Sequence, residues 1–242
     1  MAAVGIPEDF DPAIVETIQG RLNSVEAAED VSLIAAVESG SRAWGFPSPD
    51  SDYDCRFIYR QRPDRYLSLW PERDVIETPL DKIYDVNGWD VAKALRLLVK
   101  GNAVAIEWLT SPISYRTDPA PQRILTEFAR RHADPIGVRR HYFHLATNQI
   151  QRHLIPTDQW QAKALFYALR PVAALRWLRL HTTEVLLPMN FWDLMAEAEV
   201  DGGIVQLARR YAELKASMPE HHLIAADGLR KSFHRQICSI RI

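Results

Sequence analysis

The stretch Val37–Tyr59, VESGSRAWGFPSPDSDYDCRFIY, decides the fold of this chain. An apolar run ends at a turn made by Gly40 and Ser41, and a ten-residue spacer then leads to two carboxylates, Asp52 and Asp54. A second apolar run follows at once. This order predicts two strands joined by a turn, with both carboxylates at the start of the second strand.

The second predicted strand has two chemically different faces, because side chains alternate from one face of a strand to the other. One face is apolar and suits a buried core, and it consists of Tyr53, Cys55, Phe57 and Tyr59. The other face is charged at its start, and it consists of Asp52, Asp54, Arg56 and Ile58. The strand is therefore expected to bury the first face and to present a carboxylate pair on the second.

A carboxylate pair of this kind requires a compensating cation, since two like charges side by side repel. Mg²⁺, with Mn²⁺ as the alternative, takes oxygen ligands and is commonly held by one or two carboxylates together with substrate phosphates. Backbone N–H groups at the Gly-Ser turn are suited to binding phosphate. A metal site beside a phosphate site indicates nucleotidyl transfer. The competing interpretation is a plain surface turn, because Pro47, Ser48, Pro49 and Asp50 are turn formers.

The segment resembles the signature of the DNA polymerase β-type nucleotidyltransferase superfamily: a Gly-Ser turn, a spacer and Asp-x-Asp. The text GSRAWGFPSPDSDYDCRFIY, with YDVNGWDVAKALRLLVKGNAVAIEWLTSPISY and AKALFYALRPVAALRW downstream, is similar to a branch of bacterial predicted nucleotidyltransferases that includes members associated with RNA repair. The resemblance covers roughly residues 32–192. It implies an α+β fold in which a small mixed sheet with helices is followed by a helical domain.

The resemblance also implies a mechanism and a set of site residues. In such enzymes, two metal ions held by three carboxylates activate a hydroxyl that attacks the α-phosphate of an NTP. Asp52 and Asp54 match two of these carboxylates, and Asp85, in a predicted strand over residues 82–86, is our choice for the third. Glu77, Asp81 and Asp90 compete with Asp85, and Asp90 has an alternative role as the cap of a helix.

Further residues are candidates for binding the nucleotide. Gly40, Ser41 and Arg42 are expected to contact phosphate, and Arg56 either binds phosphate or neutralises the aspartates. Arg42 has the alternative of an ordinary surface residue. In the second half of the chain, one face of a predicted helix carries Lys163, Tyr167 and Arg170, which the resemblance places near the triphosphate and the base. The alternative is a solvated helix face beside a packed tyrosine.

Composition excludes several classes of protein. The 242 residues are 47% hydrophobic and 25% charged, which is typical of a globular protein. We expect a cytoplasmic protein, because no apolar run is long enough to cross a membrane and the N-terminus lacks the pattern of a secretion signal. Cys55 is expected to be a free core thiol. The sequence contains no P-loop, no His-based metal motif and no G-x-S-x-G, which argues against the corresponding enzyme classes.

The two halves of the chain differ in charge and texture. Residues 1–120 carry 12 Lys+Arg and 20 Asp+Glu, whereas residues 121–242 carry 17 and 11. We predict a catalytic domain over residues 1–118 and a helical domain over residues 119–242, with a boundary at the proline-rich segment near residue 119. The charge difference is compatible with phosphate binding by the second half and equally with ordinary solvated helices.

The predicted function is metal-dependent transfer of NMP from an NTP to a hydroxyl, with an RNA 3′ end as the favoured acceptor. Arginines at 139, 140, 176 and 179 are interleaved with Tyr142 and Trp177, which offers charges for a phosphate backbone and rings for stacking. The rings could instead be core residues. The alternatives to this function are a nucleotide- or RNA-binding module without turnover and a transferase that modifies a protein or a small molecule.

Overall fold

The computed structural model describes residues 5–70, 72–79, 81–154, 159–217 and 223–225. The strands are β1 (Ser32–Ser39), β2 (Tyr53–Arg60), β3 (Val75–Glu77), β4 (Tyr84–Asp90), β5 (Ser114–Thr117), β6 (Gln159–Gln161) and β7 (Leu223–Ala225). The α-helices are α1 (Pro12–Glu29), α2 (Gly40–Trp44), α3 (Val91–Val99), α4 (Ala103–Thr110), α5 (Pro119–His132), α6 (Pro135–Gln149), α7 (Ala162–Leu180), α8 (Phe191–Glu197) and α9 (Gly202–Ala216).

The central sheet is mixed, as the resemblance implied. In the described part of the chain it has five strands in the order β3-β4-β2-β1-β5. Strands β2 and β4 are parallel, and the other neighbouring pairs are antiparallel. The parallel pairing places the starts of β2 and β4 at the same end of the sheet, which is where the acidic residues lie.

Helix α1 covers one face of this sheet. Its start is set locally: the Asp11 side chain accepts a hydrogen bond from the Ala13 N–H at 2.9 Å, and Pro12 occupies the first helical position. Ile18, Leu22 and Val25 recur at helical spacing and are buried. They pack in one apolar cluster with the Tyr53, Cys55, Phe57 and Tyr59 face of β2, and each such burial stabilises the fold by about 1.5–3 kcal/mol. The predicted apolar face of β2, including the free thiol Cys55, is confirmed.

The other face of the sheet is covered by helices from both halves of the chain. Ile34 and Ile58 from the sheet share one core cluster with Leu125, Phe166 and Leu194 from the helical half. The core therefore continues across the change of texture near residue 118, where β5 ends and α5 begins.

A charged network lies inside this second core. Arg170 of α7 donates to Glu107 of α4 at 2.7 Å, and the Tyr142 hydroxyl of α6 donates to the same carboxylate oxygen at 2.7 Å. Arg170 is 2% exposed and Glu107 is 6% exposed. A buried ion pair of this kind is strongly destabilising to break, because the remaining charge is left without a partner in a poorly hydrated interior.

Apolar periodicity predicts one helix over residues 160–180 and another over residues 221–237. The first begins at Ala162, because residues 159–161 form β6 and pair with β7. The second lies outside the described residues except for Leu223–Ala225, which form a strand. The β6–β7 pairing joins segments 62 to 66 residues apart, and local sequence patterns do not encode it.

Candidate active site

The candidate site is formed where β2 and β4 begin. Asp54 of β2 lies directly opposite Asp85 of β4 in the parallel register. Asp52 precedes β2, and its side chain is exposed. The side chains of Asp54 and Asp85 are partly buried, with 21% and 30% of their surfaces exposed. The structure thus brings Asp85, chosen from the sequence, next to the Asp-x-Asp pair.

The Gly-Ser turn packs directly against this carboxylate group. Gly40 has φ +71°, a left-handed conformation that non-glycine residues rarely adopt. A Cβ atom on Gly40 would overlap Oδ2 of Asp54 and lie 3.1 Å from its Cγ. Glycine is therefore needed for two reasons, the backbone angle and the close approach of the turn to the carboxylate.

Substitution of Gly40 tests this packing. We expect Gly40→Ala to lower the free energy of unfolding by about 1–2 kcal/mol from backbone strain alone, and to reduce any activity of the site by displacing the Asp54 carboxylate. The measurement is urea unfolding together with the activity assay described below.

The matched control for Gly40→Ala is Gly20→Ala in helix α1, where a Cβ meets no described atom within 4 Å. Alanine is the better helix former, so this variant should gain about 0.5–1 kcal/mol. Equal stability and activity of Gly40→Ala and the wild type would contradict the proposed packing.

Arg56 lies between the two opposed carboxylates. Its Nη2 donates to Oδ1 of Asp54 at 2.8 Å and to Oδ2 of Asp85 at 2.6 Å, and its Nη1 donates to the Asp85 carbonyl at 2.8 Å. The side chain of Asn87 donates to the other Asp85 oxygen at 3.0 Å. Arg56 was predicted either to bind phosphate or to neutralise the aspartates. These contacts pair its charge with the carboxylates of Asp54 and Asp85, which corresponds to the second role.

The electrostatics of Asp54 reflect this crowding. The pKa of Asp54 is raised to about 6, chiefly by burial. Arg56 and Lys163 lower this pKa, whereas the negative charges of Asp52 and Asp85 raise it. A group of carboxylates in such surroundings favours a cation with oxygen ligands, so the donor chemistry fits a divalent metal ion. Among the described residues, no three His, Cys, Asp or Glu side chains converge as a ready-made metal site.

Arg42 and Ser41 make internal contacts that the sequence did not indicate. Arg42 donates to the carbonyls of Ser51 and Asp52 at 2.6 and 3.0 Å, and its guanidinium lies 3.8 Å from the centre of the Tyr53 ring. The Ser41 hydroxyl is buried and donates to the Ser51 hydroxyl at 3.1 Å. Both side chains therefore hold the approach to Asp52 in place.

The segment from Gly45 to Asp52, which we call the spacer loop (residues 45–52), is also held by helices α8 and α9. Lys215 of α9 is buried and donates to the Phe46 carbonyl at 2.9 Å and to the Ser48 hydroxyl at 2.7 Å. The indole N–H of Trp192 donates to the Gly45 carbonyl at 2.8 Å. Sequence reasoning missed both residues, and no local signal points to them, because their partners lie 147 residues earlier for Trp192 and 167 to 169 residues earlier for Lys215.

The three residues predicted on the face of α7 lie in two different environments. Lys163 and Tyr167 are partly buried; Lys163 lies 5.5 Å from the Tyr167 ring centre and lowers the pKa of Asp54. Arg170 is held by Glu107 and stacks 4.6 Å from the Trp44 ring centre. The structure therefore associates Lys163 with the carboxylates, whereas the guanidinium of Arg170 belongs to the core.

Glu38 is a further residue that sequence reasoning missed. It ends the buried part of β1, just before the Gly-Ser turn, and is fully buried. Its carboxyl accepts hydrogen bonds from the Asp54 N–H at 3.0 Å and from the Tyr115 hydroxyl. Burial raises the pKa of Glu38 to about 8. A lone acidic residue at the end of an apolar strand was the signal that could have identified it.

The raised pKa of Glu38 predicts a pH dependence of stability. Glu38 binds its proton more tightly in the folded chain than in the unfolded chain, whose pKa is near 4.5. Its contribution to stability is thus complete below about pH 4.5 and is lost as the pH rises towards 8. Between pH 5 and 8, the wild type should lose stability relative to Glu38→Gln, which cannot titrate. Urea unfolding in EDTA measures this, and parallel stability curves for the two proteins would contradict it.

The aromatic residues proposed for base stacking lie in the core. Tyr142 is 0% exposed and Trp177 is 3% exposed, so neither ring can stack on a base. Arg139 and Arg176 donate to the carbonyls of Leu178 and of Ala198. The expected RNA-stacking surface on this half is therefore wrong, and the alternative of core residues is confirmed.

Within the described residues, no helix has the length and apolarity needed to cross a bilayer.

Comparison with known proteins identifies two similar chains. The chain is 40% identical over 182 residues to "Uncharacterized protein YcgL" of Bacillus subtilis (strain 168), which covers 75% of this chain and 69% of that protein. A nucleotidyltransferase-like protein from Exiguobacterium sibiricum 255-15, solved by crystallography, aligns with 93% of this chain and 72% of its own at 13% identity. Its TM-score of 0.32 is too low to establish a shared fold.

The family comparison is more extensive. The model of the RNA repair pathway DNA polymerase beta family matches residues 14–241. This match spans both the acidic site and the helical half, and it confirms the resemblance and the fold class inferred from the sequence. The chain belongs to the RNA repair pathway DNA polymerase beta family.

Proposed function

We propose that this protein is a divalent-metal-dependent nucleotidyltransferase, which moves NMP from an NTP to a hydroxyl acceptor and releases pyrophosphate. The observation that carries the proposal is the packing of the Gly40 turn against the Asp54 carboxylate. A turn suited to phosphate and a group of carboxylates suited to a metal ion then face one reaction centre. Membership of a DNA polymerase beta family supports the same reaction.

The residues of the site have distinct proposed roles. Asp52 and Asp54 hold Mg²⁺ or Mn²⁺, and the N–H groups of Gly40 and Ser41 bind the phosphates. The N–H groups in the first turn of a helix have no acceptor inside that helix. Among the described contacts, the Ser39 side chain does not cap α2, so it does not compete with a phosphate for these N–H groups. Lys163 and Tyr167 lie on the helical side and are our candidates for contacts with the triphosphate and the base.

The net reaction is balanced without a further reactant. The acceptor oxygen bonds to the α-phosphorus, the bond from that phosphorus to the bridging oxygen of the β-phosphate breaks, and pyrophosphate leaves with the electron pair. The hydroxyl proton is released to solvent. A bound divalent ion supplies charge stabilisation for the attacking and leaving oxygens.

For the acceptor, we propose the 3′-hydroxyl of single-stranded RNA. The support is the family description, which names an RNA repair pathway, and the excess of Lys+Arg over Asp+Glu in residues 121–242. The buried rings of Tyr142 and Trp177 give this acceptor no support.

A labelling experiment tests both parts of the proposal. The purified protein is incubated with each α-³²P-NTP, Mg²⁺ and an RNA oligonucleotide that ends in either a 3′-hydroxyl or a 3′-phosphate. We expect label on the 3′-hydroxyl RNA alone, pyrophosphate release, and loss of both in EDTA. Pyrophosphate release with label on a protein or small molecule would replace the acceptor and keep the reaction. Binding of NTP with no pyrophosphate from any NTP would favour the non-catalytic module and overturn the proposal.

A further inference from the structure

The guanidinium of Arg56 lies between the carboxylates of Asp54 and Asp85. One of its nitrogens, Nη2, lies 2.8 Å from Oδ1 of Asp54 and 2.6 Å from Oδ2 of Asp85. Its second nitrogen reaches the Asp85 carbonyl at 2.8 Å. Only 15% of the Arg56 side chain is exposed, so these charge-assisted contacts are shielded from water and are strong.

The oxygens of the three aspartates are consequently not equivalent. Both oxygens of Asp85 accept hydrogen bonds, one from Arg56 and one from Asn87. Asp54 gives Oδ1 to Arg56, whereas its Oδ2 lies on the side of Gly40. Asp52 makes none of these contacts with its carboxylate and is exposed. Among the contacts of the described residues, the aspartate oxygens that accept a hydrogen bond from neither Arg56 nor Asn87 are those of Asp52 and Oδ2 of Asp54.

We propose that Arg56 is a resident cation, which ties Asp54 to Asp85 and takes the charge-neutralising place of one divalent ion. The site would then bind a single divalent ion, at Asp52 and Oδ2 of Asp54, and Asp85 would position Arg56 instead of binding metal. A guanidinium suits this task, because it is always charged, weakly hydrated and able to bind several oxygens in one plane. The inference rests on the proposed function, since it assumes that the aspartates bind a divalent ion.

The number of bound Mn²⁺ ions tests the inference without reference to activity. Free Mn²⁺ is measured by electron paramagnetic resonance during titration of the nucleotide-free protein. We expect one Mn²⁺ per chain for the wild type and two for Arg56→Met, because removal of the guanidinium opens the space between Asp54 and Asp85. The double variant Arg56→Met with Asp85→Asn should return to one. The matched control is Arg21→Met, which removes a guanidinium paired with Asp81 outside the site and should leave the stoichiometry unchanged.

The possible outcomes separate this inference from the proposed function. Suppose that Asp54→Asn binds Mn²⁺ more weakly than the wild type, so that the metal site itself is supported. Two Mn²⁺ ions bound to the wild type, or no additional Mn²⁺ ion bound to Arg56→Met, would then overturn the inference alone. Equal Mn²⁺ binding by the wild type and Asp54→Asn would overturn the metal site and the inference together. If Arg56→Met does not fold, Arg56→Gln takes its place, since glutamine is also uncharged and keeps a hydrogen-bond donor for Asp85. The expected number of Mn²⁺ ions per chain is then the same as for Arg56→Met.

Discussion

Replacement of Asp54 by asparagine is expected to lower the rate of nucleotidyl transfer by roughly 10³-fold or more while the fold persists. The variant loses a carboxylate oxygen for the divalent ion, whose charge stabilisation amounts to several kcal/mol in the transition state, and each 1.36 kcal/mol is a factor of ten in rate. Asp52→Asn should have a similar effect. The measurement is the initial rate of pyrophosphate release from NTP at saturating Mg²⁺.

The stability of Asp54→Asn separates a chemical defect from a folding defect. Because burial raises the pKa of Asp54, its charged form is unfavourable in the fold, and at pH 8 the neutral asparagine should keep or increase the free energy of unfolding. Asp81→Asn is the matched control, since Asp81 is exposed and pairs with Arg21 outside the site; it should retain the wild-type rate. A wild-type rate in Asp54→Asn would reject the assignment of the site.

The largest effect on stability is expected at Glu107. Glu107→Ala removes the partner of a guanidinium that is 2% exposed, and truncation of one member of a buried ion pair typically costs about 3–5 kcal/mol. Chemical denaturation should show this loss in the free energy of unfolding. Replacement of both members, as Glu107→Leu with Arg170→Met, should recover most of it, because neither charge is then buried alone.

The control for Glu107→Ala is Glu127→Ala on helix α5. Glu127 pairs with Arg130 and Arg131 but is 44% exposed, so solvent screens the pairs and the loss should be at most about 1 kcal/mol. Equal effects of Glu107→Ala and Glu127→Ala would show that the internal pair contributes no more than a surface pair.

Local patterns were sufficient to predict much of the fold. Asp11-Pro12 and the apolar residues that follow at helical spacing predict a helix at about 12–27, and the observed helix spans Pro12–Glu29. Asp90 caps the helix that follows it, and its side chain accepts from the Ala92 N–H at 2.8 Å. These elements are decided by capping residues and apolar periodicity, which act over a few residues. The buried face of β2 could be predicted for the same reason, since strict alternation places every second residue on one side.

The roles of the charged residues could not be predicted in the same way. A sequence does not show which group a charged side chain will contact. The partner of Arg170 lies 63 residues away, and the partners of Lys215 lie 167 to 169 residues away. Arg42, a predicted phosphate contact, also donates to two carbonyls of the spacer loop, and the sequence does not indicate these contacts. Which acceptor captures a cation depends on how distant elements pack, and this information is absent from local sequence.

The hydrogen bonds from Trp192 and Lys215 to the spacer loop have a consequence for folding during synthesis. During synthesis the acidic strand and the turn before it leave the ribosome well before helix α9, which supplies Lys215. Domains generally fold as units as they emerge. Here, however, the spacer loop gains its hydrogen bonds from Trp192 and Lys215 only after helices α8 and α9 have docked. The candidate site of the nascent chain is therefore incomplete until helix α9 has emerged and docked, and we expect the proposed activity to arise only after that step.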